Sequence, residues 1–367
     1  MRADTAAPER TPAPKPATRA HGTDRPPAAH ARGITARAWW PAAKRSLTVL
    51  FFLAVLGLVA NQARNVEWSA VVDSMRGYSS AVLLDAAALS AASYAIYCTY
   101  DLIGRHHVGH TLPTAQVVRV GFVSYAFSLS LGSLVGGVAL RYRLYSRLGL
   151  KADVIAQIIV LSLISNWLGY LFLAGTVFLL HPLALPPEWK FDSDALRILG
   201  AALLAVAIGY VALCRYSPRR VWTVRGHELR LSSWRIALLQ LALSSINWLA
   251  IAGVVYVLLQ FRIDYPSVLG VLLVAAVAGV IAHVPAGLGV LEAVFIALLL
   301  HRSSQAALLG ALLAYRAIYY LGPLAIATAA FLAIDSRAPA KGAGRRRSAQ
   351  SMRPNRRSSR AAVAPSE

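Results

Sequence analysis

Long apolar runs separated by short polar segments recur along the chain at 46–62, 82–103, 114–138, 154–180, 197–214, 235–259, 268–283, 287–300 and 303–334. Most come close to, or exceed, the ~20 apolar residues with which a helix crosses the ~30 Å hydrocarbon layer. One such run fits a buried helix of a soluble protein, but several in succession would need a far larger molecule to cover them. The pattern therefore predicts an all-α polytopic membrane protein. Two of the runs are interrupted, so the expectation is about seven to eight transmembrane helices with two re-entrant or broken helices.

Charge placement orients these runs. The segment before 114–138 holds Arg105 with His106, His107 and His110, and the one after it holds Arg141, Arg143, Arg147 and Lys151. Basic loops favour the cytoplasmic side, and a full crossing would put one of the two outside. The run 114–138 is thus predicted to be a re-entrant hairpin entered from the cytoplasm, turning near Ser128, Ser130, Gly132, Ser133, Gly136 and Gly137. Such backbone is tolerated at membrane depth where it is buried in protein or lines a wet cavity. The loop with Arg215, Arg219, Arg220, Arg225 and Arg230 is also cytoplasmic on this rule, and the acidic segment 182–194 lies outside.

A second interruption falls at His283-Val-Pro-Ala-Gly-Leu-Gly-Val-Leu-Glu292, where Pro285, Gly287 and Gly289 break a helix in apolar surroundings. The short helix after it is expected to return to the outside. Paired breaks in corresponding parts of two halves point to an inverted repeat with a site near the midplane. The same prolines and glycines also fit two helices that are merely kinked.

Composition agrees with the hydropathy: 57% of residues are hydrophobic and 14% charged, far from the mixture of a soluble domain. The net charge of +21 gathers in the termini, including Arg345, Arg346, Arg347, Arg353, Arg356, Arg357 and Arg360. The domain organisation expected is a disordered basic cytoplasmic tail over 1–45, a transmembrane domain over 46–335 and a second such tail over 336–367. The first tail lacks the apolar core and cleavage site of a secretory signal. Few aromatics accompany these charges, which speaks against nucleic acid and for an anionic lipid leaflet as partner, with Trp39 and Trp40 at the first span's edge. Cys98 and Cys214 have no metal-type or redox-type spacing and read as apolar helix residues in a reducing compartment.

Charged residues inside apolar runs are the informative ones, because an ionised group at the bilayer centre costs at least ~2.5–3.5 kcal/mol. Glu292 follows the second break, Arg316 lies within the last run, and Arg141 closes the first hairpin with Arg143 close behind. Glu292 and Arg316 are expected to face one another across a polar cavity, the alternative being a purely structural ion pair. Tyr315, Tyr319 and Tyr320 surround Arg316, as hydroxyl donors to a phosphate or as interface aromatics. Asn166 and Asn247 are weaker cavity candidates, since polar side chains in membranes commonly just link helices. The cluster from Arg105 to His110 has imperfect ligand spacing, so no metal and no cofactor is expected. No nucleophile elbow, Walker loop or Cys/His constellation is present, which excludes an ATP-driven pump and leaves a membrane-embedded transferase open.

Ser124-Tyr-Ala-Phe-Ser-Leu-Ser-Leu-Gly-Ser-Leu-Val-Gly-Gly137, then Arg141-Tyr-Arg-Leu-Tyr-Ser-Arg-Leu-Gly149, then Val284 to Glu292 and Tyr315-Arg-Ala-Ile-Tyr-Tyr-Leu-Gly-Pro323 form an ordered set of motifs. Over roughly residues 46–334 they resemble the transmembrane region of the lysylphosphatidylglycerol synthase/flippase (multiple peptide resistance factor) family. The resemblance implies a membrane domain that moves aminoacylated or other phospholipids between leaflets. In full-length members a cytoplasmic acetyltransferase-like domain follows and attaches the amino acid. Here a tail of roughly 30 residues is too short for such a domain, so synthase activity is expected to be absent. The function expected is translocation of phospholipid or another lipid-linked amphiphile. A headgroup would pass Arg141, Glu292, Arg316 and the nearby tyrosines. The alternatives are a lipid-modifying transferase and a non-transporting structural partner, and a homo-oligomer stays open.

Overall fold

The computed structural model describes residues 68–183, 193–219, 221–224, 227–282, 284 and 287–336. The apolar run 46–62, both basic tails, most of the acidic segment 182–194, Arg220, Arg225 and Pro285 lie outside the described residues.

The chain builds α1 (Trp68–Arg76), α2 (Ser80–Val108), α3 (Thr114–Leu131), a π-helical segment (Ser133–Leu140), α4 (Arg141–Arg147), α5 (Ala152–Leu180) and α6 (Ser193–Tyr216). A short antiparallel pair follows, β1 (Val221–Val224) with β2 (His227–Arg230), in register from Val221 opposite Arg230 to Val224 opposite His227. Then come α7 (Trp234–Leu258), α8 (Tyr265–Ala282), α9 (Val290–Leu299), α10 (Gln305–Tyr315), a second π-helical segment (Arg316–Leu321) and α11 (Gly322–Ser336). Among the described residues six helices are long and apolar enough to cross a membrane: α2, α5, α6, α7, α8 and the continuous Gln305–Leu332. The protein is a polytopic all-α membrane protein, and the hairpin is a small insertion in the basic loop between α6 and α7.

Local chemistry sets the ends. Ser79, Ser233 and Ser304 each accept a backbone N–H of the first turn, and Gly109 closes α2 with φ 75°. These are the usual N-cap and left-handed C-cap solutions for orphan backbone groups. Between the caps the helices are apolar nearly all round, because their outer faces meet lipid and their inner faces meet each other. α2, α5 and α7 pack mutually, and α6 lies outside α5 with Ile198, Leu199, Val206 and Ile208 exposed. A Cβ on Gly175 would come within 2.7 Å of Leu204 N, so α5 and α6 touch backbone to backbone.

The run 114–138 is a hairpin. α3 stops at Gly132, whose φ of 90° reverses the chain, and the π segment and α4 pack back along α3. Arg105 Nη1 donates to Thr114 Oγ1 at 2.6 Å, and Tyr145 donates to Asp101, so the hairpin's entry and exit share one end of the molecule. α8 and α9 form the second hairpin: Gly279 lies against Gly287, and Arg302 after α9 pairs with Asp264 before α8. Arg262 and Ser303, which flank the hairpin, line a cleft of about 370 Å³ with Tyr78, Gln260 and Ser304. That cleft abuts the start of α2, whose 29 residues span ~43 Å to the other end. The two hairpins enter from opposite ends.

Candidate functional site

Glu292 and Arg316 are in direct contact rather than facing one another across a cavity. Gly289, with φ 78°, starts α9, and its N–H donates to Glu292 Oε2 at 2.9 Å. The same carboxylate receives Arg316 Nε at 2.6 Å on Oε1 and Arg316 Nη2 at 3.0 Å on Oε2. Nη2 also donates to the Gly287 carbonyl at 3.1 Å. Arg316 therefore clamps the second break onto the junction between α10 and its π segment, with its guanidinium 5.6 Å from the Tyr320 ring. Eleven residues of helix from Gln305 put it ~16 Å deep, near the midplane of a ~30 Å layer.

Arg141 has a partner that sequence reasoning missed. It opens α4 directly after the π segment and sits 3.5 Å, Nε to Oδ2, from Asp101 of α2. Tyr145, one turn further along α4, donates to the same Oδ2 at 2.9 Å. Gly121 on α3 faces the carboxylate, and Tyr97 lies under the guanidinium at 5.8 Å. Asp101 is an acid inside an apolar run that also holds Asp85, the kind of signal that singled out Glu292; its place near the end of the run masked it. Arg143 is not part of this centre: it is exposed on the other face of α4.

Tyrosines join the two ion pairs. Tyr97 stacks on Tyr125 with centroids 3.6 Å apart, and the Tyr125 and Tyr319 hydroxyls are 2.7 Å apart. Tyr319 stacks on Tyr315 at 5.3 Å, and Tyr320 lies edge-on to both. Ser93 Oγ bonds Tyr319 at 2.7 Å and donates to Asn247 Oδ1 at 2.7 Å, while Tyr94 donates to the Tyr319 carbonyl. Asn247 thus belongs to the centre. Asn166 contributes only its backbone carbonyl, which accepts from Ser244 and Trp248, a helix link between α5 and α7. Tyr94 and Tyr97 carried no sequence signal beyond ordinary core aromatics, and Tyr125 appeared only as part of the motif that begins at Ser124.

The remaining candidates sit elsewhere. His110 is not a free loop residue: its ring edge meets Tyr145 at 6.3 Å and its Nδ1 accepts from Leu112 N. Burial and the charge on Arg105 hold its pKa below the ordinary imidazole value. Cys98 and Cys214 are buried and neither forms a disulfide. Gly136 and Gly137 lie in the π segment after the Gly132 turn.

A family model described as the lysylphosphatidylglycerol synthase transmembrane region matches residues 45–327. "Inner membrane protein YbhN" of Escherichia coli is 46% identical over 300 residues, covering 82% of this chain and 94% of that one. "Uncharacterized protein slr0712" of Synechocystis sp. is 34% identical over 289 residues, 78% of this chain and 89% of that one. A "Phosphatidylglycerol lysyltransferase" of Staphylococcus haemolyticus is 22% identical over 284 residues, 76% of this chain but 32% of that longer protein. Both breaks, both ion pairs and the connecting tyrosines fall inside the matched span, and the chain belongs to the lysylphosphatidylglycerol synthase transmembrane-region family.

Proposed function

We propose that the protein moves an anionic phospholipid, or a similar lipid-linked amphiphile, between the leaflets of the inner membrane, with its basic end in the cytoplasm. The observation that carries the reading is the two ion pairs, one buried and one partly buried, one at each of two oppositely entered hairpins, joined by hydroxyl-bearing rings. An ionised group at that depth is costly and calls for a purpose. A guanidinium suits phosphate because its fork donates two parallel hydrogen bonds. Opposed, interrupted elements around a central site are the form alternating access takes in many transporters. The names of relatives support the coarser parts, since one is an inner membrane protein and another a lysyltransferase named for phosphatidylglycerol.

The test is reconstitution in liposomes with fluorescent phosphatidylglycerol in the inner leaflet and a quencher outside. Lipid that becomes quenchable without covalent change, at a rate lost in Arg141→Gln, is the expected result. A new lipid product would instead support a membrane-embedded transferase, and a rate equal to protein-free liposomes would overturn the reading.

A further inference from the structure

The two ion pairs differ in how deeply they are buried and in how fully they are satisfied. Arg316 spends two N–H donors on both oxygens of Glu292 and a further bond on the Gly287 carbonyl. Arg141 is 2% exposed and Asp101 0%, yet they stand 3.5 Å apart. Arg141 Nε and Nη2 and Asp101 Oδ1 are buried without a hydrogen-bond partner among the described residues. Buried polar atoms are nearly always paired, so a guanidinium with vacant donors marks a place where something else binds. Its geometry fits a phosphate taken two oxygens at a time.

Charge adds a second constraint. Arg141 and Asp101 together are neutral. A phosphate monoanion on the vacant donors would leave the buried site with a net negative charge, which the membrane interior opposes. Neutrality returns if the carboxylate takes a proton. We propose that Arg141 is a phosphate-binding site whose counter-ion in the empty state is Asp101, and that Asp101 takes up one proton each time a phosphate monoanion displaces it.

The step balances simply. One O–H bond forms as the Asp101 carboxylate becomes the acid, Arg141 stays protonated, and the site is neutral before and after. Release of phosphate returns the proton. The groups facing Asp101 are Arg141 and Tyr145 of α4, His110 of the loop after α2, and Cys98 one turn back on α2. α3 presents Gly121, and Ile158 of α5 packs beside Gly104; Arg119 of α3, Asp153 of α5 and Arg235 of α7 are exposed. The phosphate belongs to a lipid headgroup or to a free phosphate; its identification with lipid rests on the translocation reading above, while the charge exchange does not.

Calorimetric titration of the purified full-length protein with dioctanoyl phosphatidylglycerol, in two buffers of different ionisation enthalpy, counts the protons taken up. Inorganic phosphate is the second titrant. The expected result is uptake of about one proton per ligand, with affinity falling about tenfold per pH unit on the alkaline side. Asp101→Asn, which imitates the protonated acid, is expected to bind more tightly, with no proton uptake and a flat pH profile. Binding of lipid alone assigns the site to headgroups, and equal binding of phosphate assigns it to free phosphates. Binding without proton uptake, or no binding of either titrant, overturns the proposal. Should Asp101→Asn fail to fold, the wild-type proton count decides. Proton-linked binding without lipid movement in liposomes would overturn the translocation reading and leave this one standing.

Discussion

Glu292 holds three groups at once, the Gly289 N–H and two donors of Arg316, so neither member of the pair can change without leaving a partly buried charge uncompensated. Breaking such a pair costs on the order of 3 kcal/mol. Glu292→Gln and Arg316→Gln are each expected to lower the melting temperature in detergent, and the double change to recover much of the loss. The double variant is also expected to move lipid slowly, and full activity would remove this pair from the path. At the opposite end, Asp264 shows the same chemistry in water. Burial pushes its carboxyl up, but the bonds from Ser267 and the charge on Arg302 outweigh that and hold it below the usual carboxylate range. Its contribution to stability is therefore complete above about pH 4 and is lost as pH falls through its folded value. Melting curves of wild type and Asp264→Asn should differ by a constant amount above that pH and converge below it. Glu292, Arg316 and Arg141 were legible in the sequence as charges within or at the edge of apolar runs, and the first two as facing one another, whereas Asp101 was overlooked. The pairing of Asp101 with Arg141 was not legible, because the two are brought together only when the hairpin folds back.

The hairpin elements make a sharper claim about sidedness. Single cysteines in place of Arg105 and Lys151 are expected to react with an impermeant thiol reagent from one side of the membrane, and cysteines at Asp264 and Arg302 from the other. Labelling of Arg105 and Lys151 positions from opposite sides would turn α3 into an ordinary crossing. The breaks themselves could be read from glycine and proline among apolar residues, but their extents could not. The first turn is made at Gly132 alone, and the wide helix that follows runs to Leu140, since a π turn leaves no periodicity to find. The second helix begins at Val290 rather than at Gly287, because Gly287 and Gly289 both take positive φ, outside the right-handed helix region. The β1–β2 hairpin hides in a stretch that hydropathy reads as a loop, since two four-residue strands carry too little pattern to stand out.

At the scale of the whole molecule, the three charged side chains buried among the described residues are Asp101, Arg141 and Arg316, and each lies against an opposite charge. A protein whose deep charges are matched in pairs carries no net charge through the electric field across the membrane when its helices shift. Each unmatched elementary charge would do work of about 2.3 kcal/mol per 100 mV. A phosphatidylglycerol anion that travels with a proton adds nothing to that total. On the translocation and charge exchange proposed above, the cycle is therefore expected to ignore voltage and respond to acidity. In liposomes, a potassium diffusion potential set with valinomycin should leave the rate of lipid movement unchanged, whereas a pH step across the same vesicles should alter it. A rate that follows the imposed voltage would mean that an unbalanced charge crosses with the lipid.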